Sequence, residues 1–552
     1  MSLQQASAGG MPIYILKSGS EETKGKQAQK NNFAAVKLIA QVVRTSLGPR
    51  GMDKMLVDSL GDVTITNDGA TVLKEIDVQH PAAKMMVEIS KATDNEVGDG
   101  TTSVVVLAGA LIEKAEELID KDVHPTVIVD GYHKCATKAI EVINSIAQKV
   151  HGNEKRELIR IAKTSMQTKL VSRESDLLAG IVVRAALQVS EKTDLGYKVD
   201  IDDIKVEKKA GGSIHDTTLI EGIVLDKEVV HGAMPKKMQD AKIALISSAL
   251  EIEKTEFDAK INISSPGQMQ KFLDEETNML KSMVDKIVRS EANVVICQKG
   301  MDDTVQHYLA KAGILAVRRA KESDMTRLTR ATGARMVNNL DDLTSKDLGS
   351  AKTVEERKIE TDRWVFIEGC KDPKSVTILI RGGSQRVVDE AERSVHDALM
   401  VSKDVIEKPA IVAGGGAPEA YAASKVREWA NTLSGREQLA AEKFAEALEV
   451  IPLSLAENAG MDVIDALTEL RSKQSSGSHS FGIDARSGKV ADMFRLDIVD
   501  PLAVKEQVIK SATEAACMIL RIDDIIASSK SGGPPGPPGG MGGMPGMGGM
   551  EM

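Results

Sequence analysis

The period of the hydrophobic pattern changes twice along this chain, and that limits the possible folds more than any other feature. From Lys24 to about Lys149 apolar residues recur every three or four positions, as in Phe33, Val36, Ile39, Ala40 and Val43, the spacing of an amphipathic helix. Gly48-Pro49 is expected to stop that helix. A second stripe, Val105, Ala108, Leu111, Ile112, Ala115 and Leu118, follows Thr101, and a short strand-like piece near Val63 and Ile65 lies between the two. Between about Glu221 and Gly369 strand-like runs ("ANVVIC", "ILAVRR") alternate with helical ones ("DDTVQHYLAKAG", "SDMTRLTRATG"), the rhythm of an α/β domain. After about Asp372 the helical period returns. A chain that reads helical, then α/β, then helical implies a domain inserted into a body built from both ends.

Within the middle region, Ser265-Pro266 reads as the N-cap and first residue of a long helix. Its stripe is Met269, Phe272, Leu273, Met279, Leu280, Met283 and Ile287, and its C-terminal half is expected to lie on its own domain. The polar stretch before it, with isolated Phe257, Ile261 and Ile263, suits a protrusion that meets a partner. The terminal run "SGGPPGPPGGMGGMPGMGGMEM" is low in complexity and is expected to be disordered.

Composition removes several classes of function. Basic residues number 71 against 81 acidic ones, a net charge of −10, which disfavours binding to a nucleic-acid backbone. No run of about 18 apolar residues is present to span a membrane, and the N-terminus lacks the order of a signal peptide. Cys135, Cys297, Cys370 and Cys517 form no Cys-x-x-Cys pair and read as buried thiols in a reducing cytoplasm. Aromatic residues are only 3 %, so the core must be aliphatic and helices should dominate.

One turn of sequence asks for more explanation. "VGDGTTSVVV" places Gly98, Asp99 and Gly100 before Thr101, Thr102 and Ser103, whereas a helix cap needs one such side chain. Glycines admit close backbone approach, and bare N–H groups with hydroxyls at a helix start suit phosphate oxygens. Asp99 would repel a phosphate unless it held a bridging Mg²⁺. An elaborate cap remains the other reading. "SLGPRGMDK" and "TNDGATVLKEI", which carries Asp68, are two more glycine turns beside helices, each also readable as ordinary punctuation. "VAGGGAPE" lacks both the Rossmann and the P-loop spacing. On spacing alone Asp397, among Val395, Ala398 and Leu399, reads as a solvated or capping acid. The scattered histidines form no HExxH zinc motif.

Taken together, the stretch from "TSLGPRGMDKMLVDSLGDVTITNDGATVLKEI" to "EVGDGTTSVVVLAGALIEKAEELI", with "VHPTVIVDGY", "HDAL", "IVAGGGAPE", "LAENAGMD" and "VDPLAVK", resembles the chaperonins, specifically group II chaperonins of archaea and the eukaryotic cytosol. The likeness covers nearly the whole chain. It implies a multidomain α+β chaperonin fold. A mostly helical equatorial ATPase domain would come from residues 1–150 and 406–530, and a small intermediate domain from 151–221 and 370–405. An inserted α/β apical domain would span 222–369, with a helical lid protrusion near 251–279, and the tail would be 531–552.

The resemblance also implies the chemistry. Asp99 would ligate Mg²⁺, while Gly100, Thr101, Thr102 and Ser103 would hold ATP phosphates and Leu47, Gly48 and Pro49 would line the α/β-phosphate side. Asp68 and Asp397 would position and polarise the attacking water, and Lys169 would sense the γ-phosphate, although its "MQTK" context departs from the family's usual Thr-Gly-Lys. Gly415 and Gly416 would lie beside the ribose, Asp500 would bind it, and Asp484 with Ala485 would face the adenine. The implied partners are non-native proteins and identical or paralogous subunits in two stacked rings of eight or nine, with no separate lid protein. A small-molecule ATPase or kinase, or a ring scaffold without hydrolysis, are the competing functions. Intact Asp68, Asp99 and Asp397 argue against the scaffold.

Overall fold

In the computed structural model the described residues are 6–8, 11–13, 21–194, 196–252, 266–371 and 373–527. Helices dominate, and described segments near the two ends of the chain pair with each other. From Val104 to Ile112 the helix Thr101–Ile119 is apolar on every face, each of these residues being buried. Such a helix has no side to give to water. It is surrounded by Gly25–Arg44, Arg436–Leu448 and Leu502–Leu520, which join the two ends of the chain around one aliphatic core. Two small sheets reinforce that union. Strand Glu21–Lys24 pairs antiparallel with Asp524–Ala527, and Ala410–Ala413 lies between Val499–Pro501 and Gln148–Lys149.

A second apolar core is confined to residues between Ile223 and Cys370. Its sheet is organised by strand Lys237–Ile246, whose first part runs antiparallel to Gly349–Ile359 and whose last part runs parallel to Val294–Cys297 and Met336–Val337. Strands Val294–Cys297 and Leu315–Val317 are buried throughout, as expected where helices cover a parallel sheet. Helices Pro266–Arg289, Asp303–Lys311 and Glu322–Thr332 are the crossovers. Between the two cores lies a three-stranded sheet of Thr218–Ile220, Val376–Gly382 and Ile204–Ala210. Helices Ser175–Val189 and Gln385–Glu407 pack on it, and Lys155–Met166 packs against both helices.

Several sequence expectations need adjustment. The first helix ends at Arg44, a turn before Gly48-Pro49, because the Asn458 amide donates to the carbonyls of Arg44 (3.0 Å) and Leu47 (2.9 Å) and so takes over its end. The helix of the second joining segment, expected at 370–405, is Gln385–Glu407. In Pro266–Arg289 the stripe is divided. Leu280, Val284 and Ile287 are buried, whereas Met269, Phe272, Leu273 and Met279 are exposed. Residues 253–265, which hold Phe257, Ile261 and Ile263 of the expected protrusion, and the terminal tail lie outside the described residues. All four cysteines are buried and free, and burial raises each thiol well above its ordinary value.

Candidate functional site

The segment that raised the question of an over-furnished cap makes no side-chain cap at all. Gly100 is the residue before the Thr101–Ile119 helix, with φ +79°. A side chain there would be strained, and a Cβ would lie 2.6 Å from Val508. The N–H groups of Thr101, Thr102 and Ser103 have no intrahelical partners, and all three residues line a cleft. Asp68 caps a different helix, Gly69–Glu75, its Oδ2 accepting from the Thr71 amide (2.8 Å) and hydroxyl (2.7 Å). Its Oδ1 accepts from the Thr101 hydroxyl at 3.2 Å, tying the two loops together.

Every residue given a role toward nucleotide or Mg²⁺ above lines one of two adjoining compartments. The polar one, of about 460 Å³, holds Asp68, Thr101, Thr102, Lys169 and Asp397. The second, an open cleft of about 1010 Å³, holds Pro49, Gly415, Gly416, Asp484, Ala485 and Asp500. Leu47, Gly48, Asp99, Gly100 and Ser103 line both. Asp397 comes from the Gln385–Glu407 helix and is 8 % exposed, which corrects the reading from spacing as a solvated or capping acid. Its Oδ2 pairs with the Lys169 ammonium, and its Oδ1 lies 3.8 Å from His396 Nδ1. Asn67 Nδ2 donates to the Thr168 carbonyl at 2.5 Å, which fixes the turn that carries Lys169.

Electrostatics distinguish the polar compartment. Burial raises the Asp99 carboxyl above its ordinary value, against the opposing pull of Lys169 and the Gly100 N–H, which donates to Oδ1 at 2.6 Å. Asp94 nearby is raised by burial and then by Asp68. Asp94, His396 and Asp397 each offer a ligand atom, all within 4.8 Å of one another. An anionic site with one basic lining residue, Lys169, suits a hard divalent cation on carboxylate oxygen.

The larger compartment is fitted differently. Gly415, at φ +64°, leaves only 2.8 Å between an added Cβ and the Ile483 carbonyl, so the loop before helix Ala417–Ala430 closes directly on strand Phe481–Asp484. Asp484 commits both oxygens to its own turn, accepting from Arg486 N–H (3.0 Å) and Ser487 Oγ (2.5 Å). Ile483, Ala485 and Ile451 supply apolar surface. Sequence reasoning missed Lys505, whose Nζ lies 2.9 Å from both Glu419 Oε1 and Asp500 Oδ2. The available signal was a lysine near the start of a helix, where the dipole disfavours a cation.

Comparison with known proteins bears on this cleft. Residues 39–530 match the model of the TCP-1/cpn60 chaperonin family. Thermosome subunit alpha of Archaeoglobus fulgidus is 56 % identical over 528 residues, covering 95 % of this chain and 97 % of the relative. A thermosome subunit of Pyrococcus horikoshii is 54 % identical over 525 residues, covering 95 % and 96 %. Thermosome subunit alpha of Sulfolobus acidocaldarius is 53 % identical over 529 residues, covering 94 % and 95 %.

Proposed function

This chain belongs to the TCP-1/cpn60 chaperonin family, and from that premise we propose how its cleft serves a group II chaperonin subunit that hydrolyses ATP to assist protein folding. One observation carries the reading. A buried carboxylate on a helix of the second joining segment, Asp397, lines the same compartment as Asp68, Asp99 and the open helix start at Thr101.

Phosphate oxygens are received by the N–H and hydroxyl groups of Thr101, Thr102 and Ser103 and by Gly100, with Leu47, Gly48 and Pro49 on the α/β side. Asp99 holds Mg²⁺, which supplies neutralisation of phosphate charge. Asp68 and Asp397 orient the attacking water, and Asp397 accepts its proton. Lys169 is paired with Asp397. A γ-phosphate competes for that ammonium, and drawing Lys169 away frees Asp397 to act as base. Gly415, Gly416 and Asp500 receive the ribose, and Ala485, with Asp484 behind it, faces the adenine. Because Asp397 belongs to a segment that also packs on the middle region, hydrolysis is coupled to movement of that region.

In the same reading, residues 1–150 and 406–530 form the equatorial domain, 151–221 and 370–405 the intermediate one, and 222–369 the apical one with its lid near 251–279. Subunits assemble into two stacked rings of eight or nine, and non-native proteins fold inside them in the cytoplasm. Among the described residues no helix is long and apolar enough to cross a membrane. The test is the native mass of the purified chain with Mg²⁺ and ATP, together with phosphate release and the refolding of a denatured protein. A double ring with Mg²⁺-dependent turnover and refolding is expected. A monomer that turns over ATP only with a small-molecule acceptor contradicts the reading.

A further inference from the structure

Lys505 has no part in the chemistry above, yet it is a buried cation in the wall of the nucleoside compartment. Its side chain is 12 % exposed, and it bridges two acids on different elements. Glu419, 2 % exposed, sits in the first turn of helix Ala417–Ala430, directly after the Gly415–Gly416 loop. Asp500 lies in strand Val499–Pro501, opposite Val412. An ammonium taken out of water is costly unless paired, and here two carboxylates face it. Burial alone would lower Lys505, but Asp500 and Glu419 outweigh it and keep the group charged far above neutrality. Glu419 Oε2 is buried with no hydrogen-bond partner, so the contact with Lys505 is what Glu419 is placed to make.

We propose that Lys505 is a positioning residue for nucleotide recognition: it holds the Asp500 carboxylate through Oδ2, leaves Oδ1 for a ribose hydroxyl, and pins the Gly415–Gly416 loop at the distance the sugar requires. The inference rests on the reading that Asp500 meets the ribose. Removing the lysine alone would leave two carboxylates unpaired. The better test is Glu419→Gln combined with Lys505→Met, which keeps the net charge of the group at its original value.

The measurement is the dissociation constant of the full chain, with Mg²⁺, for ADP, 2′-deoxy-ADP and 3′-deoxy-ADP. A hydrogen bond to a charged acceptor predicts that the parent prefers ADP over at least one analogue by roughly tenfold. In the double variant that preference falls to about twofold or less. Lys505→Gln gives a second reading of the same ratio if the double variant does not assemble. Equal weakening for all three nucleotides, with the preference intact, overturns the positioning role. Asp500→Asn separates the two levels. If it erases the preference while the Lys505 variants keep it, only this inference falls. If Asp500→Asn leaves the preference untouched, the ribose reading falls and this inference with it.

Discussion

The polar compartment gathers Asp68, Asp99 and Asp397, with Asp94 beside them, around Lys169, whereas its neighbour sets Ile451, Ile483 and Ala485 beside a lysine already matched by Asp500 and Glu419. The first is over-stocked with negative charge, and burial pushes Asp94 and Asp99 upward. Its carboxylate oxygens suit a hard cation. The second is walled by backbone contacts and by a lysine paired with two acids, so its wall is preformed. In the proposed reading a nucleotide anchored in the second brings its phosphates to the first. Binding and catalysis are thus separable by mutation, and the following variants test that separation.

The largest effect is expected at the shared wall. Asp99→Ala should reduce kcat/KM for Mg²⁺-ATP by on the order of 10³, the scale of losing metal-assisted charge stabilisation. It should also weaken the dependence of turnover on Mg²⁺. Unchanged Mg²⁺ dependence would remove the cation from the account.

The charge crowding extends along the helix that delivers Asp397. Asp404, on Gln385–Glu407, is buried with Oδ2 unpartnered, and burial pushes its carboxyl up to about 7. A carboxyl raised in the fold from 3.8 contributes stability present below about pH 4 and lost as pH rises through about 7. Asp404→Asn should therefore flatten the fall in thermal midpoint between pH 5 and 8 of the nucleotide-free protein. The free energy at stake is roughly 3 kcal/mol. A variant with the parent's pH profile would show that Asp404 is ionised throughout.

On the preformed side, Gly415→Ala puts a Cβ against the Ile483 carbonyl at a positive φ, at a cost of about 1–3 kcal/mol. Nucleotide affinity should drop about tenfold or more, while the rate of hydrolysis at saturation stays near that of the parent. A fall in the saturated rate without loss of affinity would make the two compartments one unit.

How much of this was legible in sequence follows from how local each feature is. The inserted middle region was readable because a change of period needs no knowledge of contacts. The helix start at Thr101 was readable because its chemistry lies within five residues. Asp397 was not, since a carboxylate on a helix stripe reads the same whether water or Lys169 faces it. Lys505 has meaning only through Glu419, on another helix. In the strand Val63–Thr66 the threonine, not the isoleucine, is buried. Thr66 donates to the Glu390 carboxylate (3.2 Å) and accepts from the Asp68 amide (3.1 Å), whereas Ile65 is 38 % exposed. In Pro266–Arg289 one continuous stripe concealed a division between a packed and an exposed half.

The central claim is that Asp397 acts on the chemistry and not on binding, although it comes from a different segment of the chain than the phosphate-facing helix. Single-turnover hydrolysis of bound ATP by Asp397→Ala, alongside its ATP dissociation constant, tests that directly. ATP should bind within a few-fold of the parent and be cleaved about 10²–10⁴ times more slowly, the range for removal of a general base. Cleavage at a near-normal rate would contradict the account.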